Sequence, residues 1–126
     1  MNADPLTDFS RLCVHTITTK GWDLEEAIDH YAKAGVSGIT VWRQWLEGQD
    51  PSKASESIRA AGLKIVSLCR GGFYPAVEGK SRLDAIEDNK RAIEDAAALG
   101  APLVVLVCGA VPVQSLLESR KQITDG

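Results

Sequence analysis

Three places in the chain carry side chains whose chemistry could serve a ligand: His15, the Trp42-Arg43 pair, and the run Arg70-Gly71-Gly72. An imidazole at the end of a strand can orient or hydrogen-bond a hydroxyl, although a lone histidine there is also a common core or rim residue. Trp42 and Trp45 flank a cation and an amide, Arg43 and Gln44, an arrangement that packs against a sugar or closes off a cavity. Arg70 offers a fork of donors suited to carboxylate or phosphate, while Gly71 and Gly72 can take positive φ and let a ligand approach the backbone closely. Gly-Gly after a strand is otherwise a plain turn. Neither GxxxxGK[ST] nor GxGxxG occurs, so nucleotide binding has no motif to rest on.

Other reactive types read more blandly. The three cysteines, Cys13, Cys69 and Cys108, form no CxxC pair that would point to zinc or redox chemistry, and each lies in or at the end of an apolar run. They are expected as free thiols buried like small hydrophobes, Cys108 least clearly because Gly109 follows it. Asp84, Glu87, Asp88, Glu94 and Asp95 are expected to form the solvated face of a helix, since no histidine joins them as a metal ligand would. His30 falls on the polar side of an earlier helix and is expected in solvent.

The 126 residues suffice for one domain with a core, and a chain that is 44% hydrophobic and 25% charged has globular rather than disordered composition. A net charge of −3 without a Lys/Arg cluster argues against nucleic acid as a partner. No apolar run is long enough for a membrane helix. Residues 1–10 read as a loose tail without the apolar core of a secretory signal, which leaves a cytoplasmic location as the expectation.

The elements that must position these residues follow from punctuation and period. Strands are expected at about 11–19, 38–42, 64–69 and 103–108, with helices at about 23–34, 51–61, 82–99 and from 115 onward. Asp23 with Glu26 forms a capping box, and Leu24, Ala27, Ile28, Tyr31 and Ala32 recur at helical spacing. Asp50 followed by Pro51 opens the second helix. The long third helix is expected to turn Leu83, Ile86, Ile93 and Ala97 to one side.

A repeat underlies this order. Residues 34–42, 61–69 and 99–107 each run from a helix end through a glycine into an apolar strand. Strands alternating with helices, and apolar along their whole length, mean a parallel sheet covered on both faces. Four such βα units fit either an open doubly wound sheet or half of a (β/α)8 barrel. The chain stops in a polar helix start, and a full barrel takes about 250 residues. The expectation is therefore α/β: the first four βα units of a (β/α)8 barrel over residues 11–126, cut within the fourth helix. His15, Trp42, Arg43, Arg70, Gly71 and Gly72 would then share the rim at the C-terminal strand ends.

Three blocks, VWRQWLEG (41–48), AAGLKIVSLCRGGFYPA (60–76) and DNKRAIEDAAALGAPLVVLVCG (88–109), resemble the N-terminal half of a xylose-isomerase-like sugar phosphate isomerase/epimerase. The resemblance implies a TIM barrel in which a divalent metal (Mn, Mg, Zn or Co) polarises a sugar carbonyl and hydroxyl while carboxylates move a proton between adjacent carbons. The family's metal-binding carboxylates and histidine come from strands five to eight. No catalytic residue and no metal ligand is therefore assigned within this chain. The chain alone is expected to be inactive and to associate through its open strand edges, with a sugar or sugar phosphate as the ligand of the whole. The alternative is a non-catalytic α/β module that binds a small anion or a partner chain.

Overall fold

The computed structural model describes residues 5–126. Its strands β1 (Cys13–His15), β2 (Gly38–Trp42), β3 (Lys64–Gly72) and β4 (Val104–Val107) form one parallel sheet in chain order, joined by helices α1 (Leu24–Lys33), α2 (Pro51–Ala60) and α3 (Gly79–Leu99). Helix α4 (Leu116–Asp125) follows β4. This is the four-unit alternation expected of a partial TIM barrel, and no strand pairs as a hairpin with the next. Among the described residues no helix is long and apolar enough to cross a membrane.

Local chemistry accounts for the helix starts. Asp23 accepts from the Glu26 amide while the Glu26 carboxylate accepts from the Asp23 amide, closing the capping box. Asp50 accepts from the Ser52 amide, with Pro51 in the first helical position. Helix α3 ends at Gly100, whose φ of 73° a residue with a Cβ adopts only at a cost.

The core lies between the sheet and its helices. Ile39, Val41 and Leu68 are fully buried against Leu24, Ala27, Ile28 and Tyr31 of α1, Ile58 of α2 and Leu99 of α3. Full burial of each such aliphatic side chain contributes roughly 1.5–3 kcal/mol.

Three expectations about elements need correction. The run at 11–19 is extended only over Cys13–His15 and then coils into a 3-10 turn at Thr16–Thr19. Tertiary bonds override its β-branched character: Thr16 Oγ1 accepts from the Trp42 amide, and the Tyr31 hydroxyl lies 2.6 Å from Thr19 Oγ1 and donates to the His15 carbonyl. Strand β3 does not stop before Arg70 but continues through Gly72, shifting register against β4 between Cys69 and Gly71. Helix α3 buries Asn89, Ala92, Ala96 and Leu99, leaving Leu83 and Ile93 more than 60% exposed. Small side chains at 92 and 96 let the helix lie close to the sheet, and bulk on the predicted face would not fit there.

Candidate functional site at the strand ends

Alternation along the strands divides the candidate residues between two surfaces. Val14, Ile39, Val41 and Leu68 pack toward the helices, so Cys13, His15, Thr40, Trp42, Ser67 and Cys69 project from the opposite face, the inside of a closed barrel. That face is polar at mid-height. Cys13 Sγ lies 3.4 Å from Thr40 Oγ1, which lies 2.7 Å from Ser67 Oγ, so three neighbouring strands are bridged by side-chain hydrogen bonds. The satisfied partners explain how Thr40 and Ser67 tolerate near-complete burial.

Above this ladder, the Trp42 indole Nε1 donates to His15 Nδ1 at 3.1 Å. An indole nitrogen can only donate, so Nδ1 is an acceptor here and the imidazole in this contact carries its proton on Nε2. The pair thus presents one imidazole N–H donor beside an aromatic plane. Trp45 is used differently: its Nε1 donates to the Trp22 carbonyl at 2.8 Å, which anchors it to the loop before α1. His30 is exposed, as expected, and also stacks on the Trp22 ring at a centroid distance of 4.3 Å.

Arg43 and Arg70 lie elsewhere, in a cleft of about 280 Å³ that neither His15 nor Trp42 lines. Arg43 grips Asp88 with both terminal nitrogens, Nη1 at 2.9 Å and Nη2 at 3.2 Å, and its Nε reaches Asp95 at 3.4 Å. The hydrogen bond from Arg43 holds the Asp88 carboxyl below the usual range, and the same bond holds the guanidinium above its own. Asp88 and Asp95, expected as a solvated face, are thus partners of a rim arginine. Seven residues apart on one helix, they share a face; nothing nearby in sequence marks Arg43 as their counterpart.

Gly71 and Gly72 are committed to the protein rather than left open. Asn89 on α3 accepts from the Gly72 amide at 2.6 Å and donates to the Gly72 carbonyl at 2.7 Å. A Cβ on Gly72, where φ is 102°, would collide with the Val107 carbonyl, and one on Gly71 would meet the Asn89 side chain. Sequence reasoning missed Asn89 entirely, since a lone polar residue in a charged helix carries no pattern.

The thiols divide by position. Cys69 is buried, and burial pushes its thiol up; Cys13 is half-buried, and Cys108 lies exposed beyond the end of β4. Among the described residues no three His, Cys, Asp or Glu side chains converge as metal ligands would. The described residues therefore do not by themselves fit a metal centre.

Comparisons with known proteins agree with this geometry. A structure from Sinorhizobium meliloti superposes with a TM-score of 0.80 and 37% identity, covering 90% of this chain and 42% of that one. A xylose isomerase domain containing protein from Salmonella typhimurium matches with a TM-score of 0.75 and 14% identity, over 94% of this chain and 44% of its own. A fusion protein of a xylose isomerase-like TIM barrel with 4-hydroxyphenylpyruvate dioxygenase gives 0.74 and 17%, over 90% and 18% of the two chains. The chain thus spans less than half the length of each of these structures. A search of curated proteins finds no match. The model of the xylose isomerase-like TIM barrel family matches residues 28–126, most of the chain, and the protein belongs to that family.

Proposed function

We propose that this chain supplies the first four strands of a sugar isomerase or epimerase, in which His15 and Trp42 contact the substrate and a proton moves between adjacent carbons of the sugar. The observation that carries the reading is the His15–Trp42 pair at 3.1 Å on the inner face, at the C-terminal ends of two parallel strands. Barrel enzymes act at that end. The imidazole Nε2–H is a donor for a carbonyl or hydroxyl oxygen, and the indole beside it is an apolar wall for a sugar's C–H face. Arg43, expected as a contact, acts in this reading through position: clamped to Asp88 and Asp95, it ties the β2 end to α3. No base that would take the proton is assigned among the residues of this chain.

A second reading, a module that binds a partner chain, draws on the open edges. The outer edges of β1 and β4 have no strand beside them among the described residues. Unpaired parallel edges recruit strands, so two copies of the chain would pair β4 of one with β1 of the other and close an eight-stranded ring. Light scattering over a concentration series decides whether it does so.

The catalytic reading is tested by complementation. The chain is mixed with a separately produced C-terminal half of the Sinorhizobium relative, and solvent-deuterium uptake at C1 and C2 of aldoses, ketoses and their phosphates is followed with added Mn²⁺ or Mg²⁺. Exchange that needs both halves and falls with His15→Ala supports it. Exchange by the chain alone, or indifference to His15→Ala in the reconstituted barrel, overturns it.

A further inference from the structure

We propose that the cleft between the β2 end and α3 is a binding subsite for the acidic group, carboxylate or phosphate, of a small hydroxylated molecule, with Arg70 as its anchor. The subsite is argued from its own residues and goes beyond the reading of the inner face.

Arg43, Gln44, Glu47, Arg70, Asp88 and Asp95 line the cleft, and they are not equivalent. Arg43 is neutralised in place by Asp88 and Asp95, and Asp88 also receives Arg91 Nη2 at 3.3 Å. Arg70 makes no ion pair and no side-chain hydrogen bond among the described residues. Its guanidinium is nevertheless held, with Cζ 4.3 Å from the centroid of the Phe73 ring. A cation–π contact uses no hydrogen bond to another protein group, so Arg70 keeps N–H donors for a ligand. A half-buried arginine fixed by an aromatic ring, in a concave polar site, is preorganised for bidentate recognition of an oxyanion.

Pairing, rather than net charge, points to the ligand class. The lining carries Arg43 and Arg70 against Asp88, Asp95 and Glu47, and because Arg43 is spent on the two aspartates, Arg70 is the cation of the cleft left without an ion pair among the described residues. One oxyanion on the Arg70 N–H groups fits that pairing, whereas a cation held by Asp88 and Asp95 would have to displace Arg43 from both. Gln44 and Glu47, both exposed and without side-chain ion pairs, line the cleft beside it and supply hydroxyl partners for the rest of the molecule.

Calorimetric titration of the full chain at low salt with glucuronate, glucose 6-phosphate and glucose tests the assignment. The two acids separate carboxylate from phosphate as the preferred group, and glucose reports the neutral scaffold. Saturable binding of at least one acid, about tenfold or more tighter than glucose, is expected, with a similar loss in Arg70→Gln. Asp88→Asn, which frees part of the Arg43 charge, is expected to tighten the acid, a direction that general loosening of the fold would not produce. Should Arg70→Gln fail to fold, the Nε–H resonance of Arg70 in the unaltered chain is followed by NMR instead and is expected to shift on titration. Equal affinity for glucose and the acids, unaltered affinity in Arg70→Gln, weaker binding in Asp88→Asn, or an unmoved Arg70 resonance would each overturn the subsite.

Discussion

The middle of the sheet and its C-terminal end are built from the same βα unit, yet they are held by different forces. Around β2 and β3, helices on one side and strands on both edges bury every residue of the apolar core, which runs from Leu24 to Leu99. Beyond Gly100 the pattern continues, but nothing in α4 is buried, and Leu106, Leu116 and Leu117 are more than half exposed. Polar bonds hold α4 instead: the Gln122 side chain pairs with both backbone groups of Ala76, and Arg82 donates to the Gln122 carbonyl at 2.9 Å. A βα unit therefore does not bury itself. Its helix joins the core where the following strand pairs alongside, as β2 does for α1, and no strand pairs with the outer edge of β4 among the described residues.

Substitutions matched between the two regions put this contrast to the test. Leu68→Ala, at a fully buried site in β3, should cost about 2–5 kcal/mol in denaturant unfolding. Leu117→Ala, 80% exposed in α4, should stay within about 0.5 kcal/mol while lowering the apparent mass in light scattering. Equal losses at the two sites would show that α4 is as well packed as the middle of the sheet.

Gly72→Ala tests the junction where the two regions meet, because the new Cβ would strike the Val107 carbonyl of β4 at a φ of 102°. A loss of about 2–4 kcal/mol is expected by thermal unfolding. Asn89→Ala removes both partners of the buried Gly72 backbone and should cost about 1–3 kcal/mol, with faster amide exchange at Gly72 as the local sign.

The smallest effect is electrostatic. Arg43 depresses the Asp88 carboxyl in the folded state, so the pair stabilises the fold above the unfolded carboxyl range, near 3.9, and the contribution disappears as pH falls below it. Asp88 is 46% exposed, so solvent screening keeps the contribution below about 1 kcal/mol. Arg43→Met should flatten the acid limb of the stability–pH curve by that amount and leave its neutral plateau within the same margin.

The architecture was legible because punctuation and period are local: the Asp23 capping box, the Asp50-Pro51 start and the glycine at each helix end specify elements from a few neighbouring residues. The candidate site was less legible because its chemistry is tertiary. The fate of Arg43 depends on Asp88, 45 positions away, and Gly71 and Gly72, plausible as an open turn, turn out to be required where Asn89 and Val107 approach. The first strand was overestimated for a related reason. Thr16 to Thr19 have strand-forming side chains, but the hydroxyls of Thr16, Thr19 and Tyr31 make bonds across the end of β1 that an extended chain would forgo.

All three tryptophans of the chain, Trp22, Trp42 and Trp45, lie within its first 45 residues, around the ends of the first two strands. Fluorescence is therefore blind to half the molecule. An unfolding curve recorded by indole emission follows the loop before α1 and the rim of β2, whereas far-ultraviolet dichroism also registers α3 and α4. If α4 melts ahead of the rest, the two curves separate, with dichroism falling first and emission unmoved. The placement of the indoles makes the chain its own two-channel probe of whether it unfolds as one cooperative unit.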